Sequence, residues 1–452
     1  MTTLSLPAAF EKQIRADLGD ESDRFLESLR LPSPVSIRYN ILKKAAQNVD
    51  LEQVAWCKDG YYLPERPIFT LDPAFHAGAY YVQEASSMFV AEAVRQAIDL
   101  ERDVVGIDLC AAPGGKTTLL ASLLSKHSLL LANEVIKSRV EVLKENVTKF
   151  GLSNTIICNH EVENLEKLTG FFDFVLADAP CSCEGLFRKD AAAAGEWSPE
   201  AVQHCAARQR RILSEAVKLL KQDSVFLYST CTYNDAENSE NIAWLMQEFD
   251  FELIKLQLPV EWNIVEKTHG YQFYPHRTKG EGFFLSALRK KSASAEVIIP
   301  KNLKFSNLQK LPQAQVEILK PYFLFPDEFS FFLKHNQEIV AVCTSQIRNI
   351  QLIDAALQRK SLGLEIGSFK GKDFIPSHAL ALSVAIHPDL PSIELDKATA
   401  LKFLKKEEIA PTNAPKGWLL VRYEGLNLGW IKNLGNRSNN YLPKEFKIRM
   451  NI

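Results

Sequence analysis

The stretch that decides the fold is DLCAAPGGKTT, residues 108–118. The apolar run DVVGIDL (103–109) predicts a buried strand, and KTTLLASLLS (116–125) predicts a helix whose N-terminal amides face a ligand. A nucleotide phosphate loop needs a glycine five positions before its Gly-Lys-Thr, so that successive N–H groups turn inward around the phosphates. Here that position is Cys110. A dinucleotide loop needs three spaced glycines, whereas this one has only the adjacent pair Gly114 and Gly115. What survives is a strand, a tight turn and a helix, approached by some compact group other than pyrophosphate.

Outward from this loop, strand-like and helix-like stretches alternate between residues 103 and 289. VVGIDL, SLLLANE, NTIICN, FDFVLADAP, SVFLYST, FELIKL and GFFLSAL are the strand candidates. Between them lie the helical patterns SRVEVLKENVTKFG, which stops at Gly151, and SPEAVQHCAARQRRILSEAVKLLKQ, capped by Ser198 with Pro199 in its first turn. Such alternation predicts a doubly wound α/β sheet with its ligand crevice beyond the carboxyl ends of the strands.

The chain has 452 residues, 46% hydrophobic and 24% charged, enough for two or three domains with filled cores. No apolar run approaches membrane-spanning length, and the N-terminus, MTTLSLPAAFEKQIRADLG, reads as an amphipathic helix rather than a signal peptide. A cytoplasmic protein is expected, with no membrane partner. The eight cysteines include no C-x-x-C pair, and Cys181 and Cys183 form only a C-x-C, a weak metal signal, so reduced thiols and no metal are expected. A formal net charge of −2 allows nucleic-acid binding only through a local patch. Residues 401–452 supply one, with ten Lys or Arg against four Glu, either a solvated face or an RNA surface. RKKSASAEV (289–297) reads as a linker.

Glu134 ends the strand SLLLANE nineteen residues after Gly115, near the spacing at which an acid in this architecture grips a ribose. A nucleoside without a phosphate cradle is therefore expected, and S-adenosylmethionine fits. Two further strand ends carry thiols. In DAPCSCEGLFRKD (178–190), Asp178 and Cys181 follow FDFVLA, and in YSTCTYNDAENSENI (228–242), Cys231 follows SVFLYS. A parallel sheet would put both thiols and Asp178 at one rim. Cytosine gives such a trio work: a thiolate adding to C6 turns the C5 side into an enamine able to attack a methyl sulfonium, a second group removes the C5 proton, and a carboxyl group holds the base.

These motifs, with RYN at 38–40, YYVQEASSM at 80–88, ANEVIKSR and EGFF at 281–284, closely resemble the NOL1/NOP2/Sun group of RNA 5-methylcytosine methyltransferases over roughly residues 30–290. GWLLVRYEGLNLGWIKN and NRSNNYLP resemble the PUA-type RNA-binding module of the bacterial RsmF subgroup, which methylates 16S ribosomal RNA. The resemblance implies a Rossmann-like class I methyltransferase domain (91–290) after an N-terminal α+β extension (1–90), then a connecting domain (291–390) and a β-rich PUA-like domain (391–452). It implies a monomer using S-adenosylmethionine on 16S ribosomal RNA or the small ribosomal subunit. Transfer RNA as substrate, or a non-catalytic assembly factor on the same fold, are the alternatives.

By the same resemblance, Cys231 is the nucleophile, Cys181 helps release the product, and Asp178 contacts both the target cytosine and the cofactor's reactive end. Cys110, Ala111, Ala112, Pro113, Gly114, Gly115 and Lys116 would hold the methionine part, Glu134 the ribose, and Arg139, from ANEVIKSR, also joins the cofactor site. Glu161 is the best match for the adenine contact, with Asn159 and His160 as alternatives. Arg38 and Asn40 either position RNA or form a structural hydrogen-bonding pair. RNA contacts are expected from Lys405, Lys406, Arg422, Lys432, Arg437, Lys444 and Lys447, with stacking surfaces offered by Trp418, Tyr423, Trp430 and Tyr441, some of which are expected to be core instead. A fragment ending near residue 390 is expected to bind cofactor normally and lose RNA affinity.

Overall fold

The computed structural model describes residues 5–43, 50–294, 297, 300–409 and 414–450. Its centre is a sheet of five parallel strands, β1 (Val105–Asp108), β2 (Leu129–Asn133), β3 (Thr155–Cys158), β4 (Phe172–Asp178) and β5 (Leu220–Thr230), in the order β3-β2-β1-β4-β5. The apolar runs become parallel strands because both faces are covered, so each strand reads as almost continuously hydrophobic. Helices α1 (Gly115–Leu123) and α2 (Lys137–Phe150) cover one face with Leu119, Leu120, Leu143 and Val147. Helices α3 (Pro199–Leu219) and α4 (Ser239–Glu248) cover the other with Leu213, Val217, Ile242 and Leu245. This is the doubly wound arrangement expected.

Four more strands extend the β5 edge: β6 (Phe251–Leu253), β7 (Val265–Lys267), β8 (Gly270–Phe273) and β9 (Phe283–Lys290). β9 pairs antiparallel with β5, and FELIKL contributes β6, which pairs with β9. The opposite edge is covered by β10 (Lys360–Ser361), which pairs antiparallel with β3.

Two boundaries differ from the sequence expectation. Helix α3 keeps its predicted Ser198 cap, whose Oγ accepts from the Ala201 amide at 3.1 Å, but stops at Leu219 instead of running to Gln222. Leu220 is already paired with Phe172, and the strand then slips register and resumes at Val225, with Asp223 at φ 58° in the kink. The polar run KQDS therefore belongs to a bent strand and not to a helix end. Likewise, Arg289 and Lys290 are not linker but the last residues of β9. Lys290 is buried, and its ammonium donates to the carbonyls of Val217 and Leu220, which replaces the hydration its charge loses. Residues 295 and 296 of the expected linker lie outside the described residues.

Residues before the central sheet form the predicted N-terminal helix over Ala8–Leu18, a short helix over Ser22–Ser28, and a three-stranded sheet in which Val35–Tyr39 lies between Gly60–Leu63 and Tyr80–Val82. After it come a five-stranded antiparallel sheet over residues 308–376 and a four-stranded sheet made by Ser392–Glu394, Gly417–Tyr423, Leu426–Asn433 and Ser438–Asn440. The first and last sheets share one core, in which Ile37, Tyr39 and Tyr80 pack with Ala400, Phe403, Leu419 and Val421. Among the described residues, no helix is long and apolar enough to cross a membrane.

Candidate active site

The turn after β1 is built for close approach. Gly114 caps α1 in a left-handed conformation (φ 114°), and a Cβ added at Gly115 would lie 3.3 Å from the Tyr81 ring. Beneath the turn Asp108 is fully buried and accepts a 2.7 Å hydrogen bond from Thr117 Oγ1; burial, partly offset by that bond, pushes its carboxyl up to about 7. Above it the segment Tyr81–Glu84 closes a cavity of about 180 Å3 against Cys110, Ala111, Ala112, Pro113, Gly115, Lys116 and Asp178. The loop read as the cofactor's cradle is thus roofed by the N-terminal sheet.

Arg38 and Asn40 hold that roof in place. Arg38 is 2% exposed, donating from Nε to Gln83 Oε1 at 2.9 Å and from its guanidinium to Thr118 Oγ1 at 2.7 Å, with the Phe150 ring 4.9 Å away. Asn40 is 1% exposed and donates to the carbonyls of Gly78 and Phe150 at 3.0 and 2.9 Å. Of the two roles open from the sequence, this is the structural pair. Neither side chain reaches the surface, and the hydrogen bonds both make tie the first sheet to the rest of the protein.

At the end of β2, Glu134 is 2% exposed. Its Oε1 accepts from the Ile136 amide at 2.9 Å, while Oε2 has no hydrogen-bond partner although Arg139 lies 3.3 Å away as an ion pair. A buried carboxylate oxygen without a donor is costly, and two adjacent ribose hydroxyls would satisfy it. Arg139 also donates to the Ala112 carbonyl at 2.6 Å, tying α2 to the turn after β1. Of the three adenine candidates, two are committed elsewhere. Asn159 donates to the carbonyls of Glu134 and Val135 and accepts from Arg359, and His160 Nε2 accepts from the Arg359 amide at 3.1 Å. Glu161 stands exposed beside them.

The strand ends of β4 and β5 bring the thiols together. Cys181 Sγ and Cys231 Sγ are 3.1 Å apart, and Asp178 sits at the same rim, accepting from Ser229 Oγ at 2.7 Å and Lys116 Nζ at 2.8 Å. Lys116 therefore has a definite task, as the cation that holds Asp178. Burial lowers its ammonium, but Asp178 more than offsets this and keeps it above its ordinary range. Both thiols are held well above the usual range. For Cys231 the hydrogen bond with Cys181 lowers it, but the Cys183 sulfur, burial and the Asp178 charge together outweigh that. For Cys181 the neighbouring Cys183 and Cys231 sulfurs and burial all raise it.

Two buried carboxylates, not singled out from the sequence, fix this geometry reciprocally. Glu184, on the Cys181 loop, accepts from the amides of Tyr233 and Asn234 on the Cys231 loop at 2.8 and 3.1 Å, and from Trp197 Nε1 at 3.0 Å. Glu237, on the Cys231 loop, accepts from the Ser182 amide at 3.0 Å, from Gln209 Nε2 at 2.7 Å and from Asn234 Nδ2 at 2.9 Å. An acid shortly after each cysteine is the only sequence signal for them, and it is a weak one.

In the C-terminal region Arg437 is exposed and Lys432 half-buried, with its ammonium 5.4 Å over the Trp418 ring. Trp430 is corrected from stacking surface to core: it is 2% exposed, and its Nε1 donates to the Ser377 carbonyl at 2.8 Å. Trp418 is half-buried and spends its Nε1 on the Phe374 carbonyl, whereas Tyr441 packs edge-on against it with an exposed ring.

Three family models cover most of the chain: the N-terminal domain of 16S rRNA methyltransferase RsmF over residues 6–85, 16S rRNA methyltransferase RsmB/F over 96–289, and the methyltransferase RsmF PUA domain over 390–448. Ribosomal RNA small subunit methyltransferase F of Aliivibrio fischeri is 30% identical over 97% of both chains. Its counterpart in Shewanella loihica is 31% identical over 96% of this chain and 94% of its own. Among solved structures, a methyltransferase homolog protein from Pyrococcus horikoshii is 27% identical with a TM-score of 0.55, covering 64% of this chain and 96% of that one. The Rossmann-like sheet, the roofed turn and the paired thiols are thus set in a chain matched from end to end, and it belongs to the ribosomal RNA small subunit methyltransferase F family.

Proposed function

We propose that this protein transfers a methyl group from S-adenosylmethionine to C5 of a cytosine in 16S ribosomal RNA, through a covalent bond between Cys231 and C6 of the base. The observation that carries this reading is the opposition of Cys231 and Cys181 across 3.1 Å, with Asp178 at the same rim. The residues present suit the cofactor. Glu134 Oε2, ion-paired with Arg139 but without a hydrogen-bond donor, offers a buried acceptor for the ribose, Glu161 is free for the adenine edge, and the turn Cys110–Lys116 exposes helix N-terminal amides to a carboxylate. When bound, the cofactor supplies an electrophilic methyl group.

The chain's own residues do the rest. A base swung out of its stack enters beside Cys231. Asp178, oriented by Lys116 and Ser229, engages the ring nitrogen side of the base. Cys231, as thiolate, bonds to C6 and raises electron density at C5. After methylation, the C5 proton leaves to a base at the Cys181 side. The C5–H electron pair then reforms the ring double bond, and Cys231 departs as thiolate. In the free protein the Cys183 sulfur, burial and the Asp178 charge hold the Cys231 thiol up, so in this reaction its proton must leave before the sulfur bonds to C6.

Lys432 and Arg437 are assigned to the ribosomal RNA backbone, away from the paired thiols. Bisulfite sequencing of 16S and transfer RNA from cells with and without the gene tests the activity. A protected cytosine in 16S RNA that disappears on deletion is expected, and an unchanged pattern in both RNAs would overturn the reading.

A further inference from the structure

We propose that Cys181, Cys183 and Cys231 form a binding site for one soft divalent cation, with Zn2+ as the natural example, and that its occupation shuts the catalytic centre. The sequence shows only the C-x-C pair, and the fold supplies the third sulfur. All three Sγ atoms lie within 4.8 Å of one another, the only such group of His, Cys, Asp or Glu among the described residues. Thiolates bind zinc at about 2.3 Å, so two of them on one ion stand about 3.8 Å apart in a tetrahedron and no more than about 4.6 Å apart in any geometry. The trio lies near that range, and binding one ion requires the side chains to rotate so that the Cys181–Cys231 pair opens from 3.1 Å.

Cys183 is the informative member, because the mechanism does not use it. It sits at φ 60°, ψ 27°, a left-handed conformation that a side chain adopts at a cost, and its sulfur turns back to within 3.3 Å of the Cys181 carbonyl. All three residues are half-buried rather than sealed. Three sulfur donors select zinc or cadmium over magnesium or calcium, and the resulting anionic complex lies beside Lys116, whose ammonium already feels Cys231. Each protonated thiol that binds releases its proton to solvent, and both catalytic sulfurs become metal ligands unable to add to C6 or serve the C5 proton.

The full-length, metal-free chain, kept reduced with a non-thiol phosphine, is titrated with Cd2+ while the ultraviolet thiolate-to-metal charge-transfer band is followed; Zn2+ is titrated against a chromogenic chelator. One ion per chain with a thiolate band is expected. Cys183→Gly, which suits the left-handed position, is expected to weaken binding by at least the roughly 10- to 100-fold that losing an outer-shell partner costs at metal sites. Methyl transfer should fall in step with zinc occupancy, return with chelator, and persist in Cys183→Gly at zinc levels that silence the parent. Absence of the band, or equal affinity in Cys183→Gly, would overturn the site. The inhibition arm rests on the proposed activity, but the binding arm does not: metal bound by a chain that never methylates RNA supports the site and overturns the proposed function instead.

Discussion

Cys231 and Cys181 touch, yet their proposed duties are sequential, so single substitutions should separate them. Cys231→Ala is expected to abolish both methylation and covalent RNA capture, whereas Cys181→Ala should still attack C6 and then stall as a protein–RNA adduct, visible as a shifted band in denaturing gels. Free turnover by Cys181→Ala without an adduct would reverse the assignment. The raised titration of Cys231 has a second consequence in the free protein. A thiol whose pKa lies above the ambient pH is mostly protonated, so its thiolate fraction climbs about tenfold per pH unit as pH rises toward the pKa. Iodoacetamide should therefore modify Cys231 slowly at neutral pH and faster in alkali, as peptide mass mapping would read; a rate flat between pH 6 and 9 would contradict it. Glu134 makes a prediction about the cofactor. Glu134→Ala removes the orphaned acceptor and should weaken S-adenosylmethionine binding by roughly 1.5–3 kcal/mol in calorimetry, and unchanged affinity would remove it from the site.

At the scale of elements, the two thiol loops owe their meeting to the paired clamps of Glu184 and Glu237. Glu237→Gln replaces one accepting oxygen by a donor, so that the new amide faces either Asn234 Nδ2 or the Ser182 amide and Gln209 Nε2 donor to donor. A loss of ~1–3 kcal/mol in urea unfolding is expected, together with slower adduct formation at unchanged cofactor affinity. An unaltered adduct rate would mean that the loops hold their register without the clamp. These clamps also mark where the sequence stops being legible. Each parallel strand is readable because two covered faces make it an apolar run, and the cysteines are readable because they follow such runs directly. Glu184 and Glu237 look like surface acids, since what buries them is a partner loop some fifty positions away along the chain. The kink at Asp223 is hidden for a related reason: a bend in a strand exposes polar residues that locally resemble a helix end. Arg38 and Asn40 are visible as a motif, but only the three-dimensional position of Thr118 and Phe150 decides that they brace the cofactor turn.

For the molecule as a whole, the expectation that residues beyond about 390 can be removed cleanly does not survive the packing. Ala400, Phe403, Leu419 and Val421 complete the core beneath the first sheet, and Leu420 and Trp430 complete another with Ile339, Ile366 and Phe374 of the five-stranded sheet. A fragment ending near 390 should be poorly soluble and lose cofactor binding along with RNA binding, because the roof over the cofactor turn rests on the first of those cores. The RNA question is better asked by reversing charge on the intact chain. Lys432→Glu with Arg437→Glu should leave cofactor affinity unchanged, lower thermal stability slightly through the lost contact over Trp418, weaken RNA binding, and flatten the plot of log affinity against log salt by about one to two units in slope, read by filter binding. An unchanged slope would make this segment a solvated face. The core shared by the first and last sheets also bears on the order in which the protein is made. Translation delivers chain at about 5–20 residues per second, so Ile37, Tyr39 and Tyr80 emerge from the ribosome on the order of tens of seconds before the strands that cover them. During that interval the nascent N-terminal sheet presents an open apolar face, which stays uncovered until the strands of the last sheet have been made.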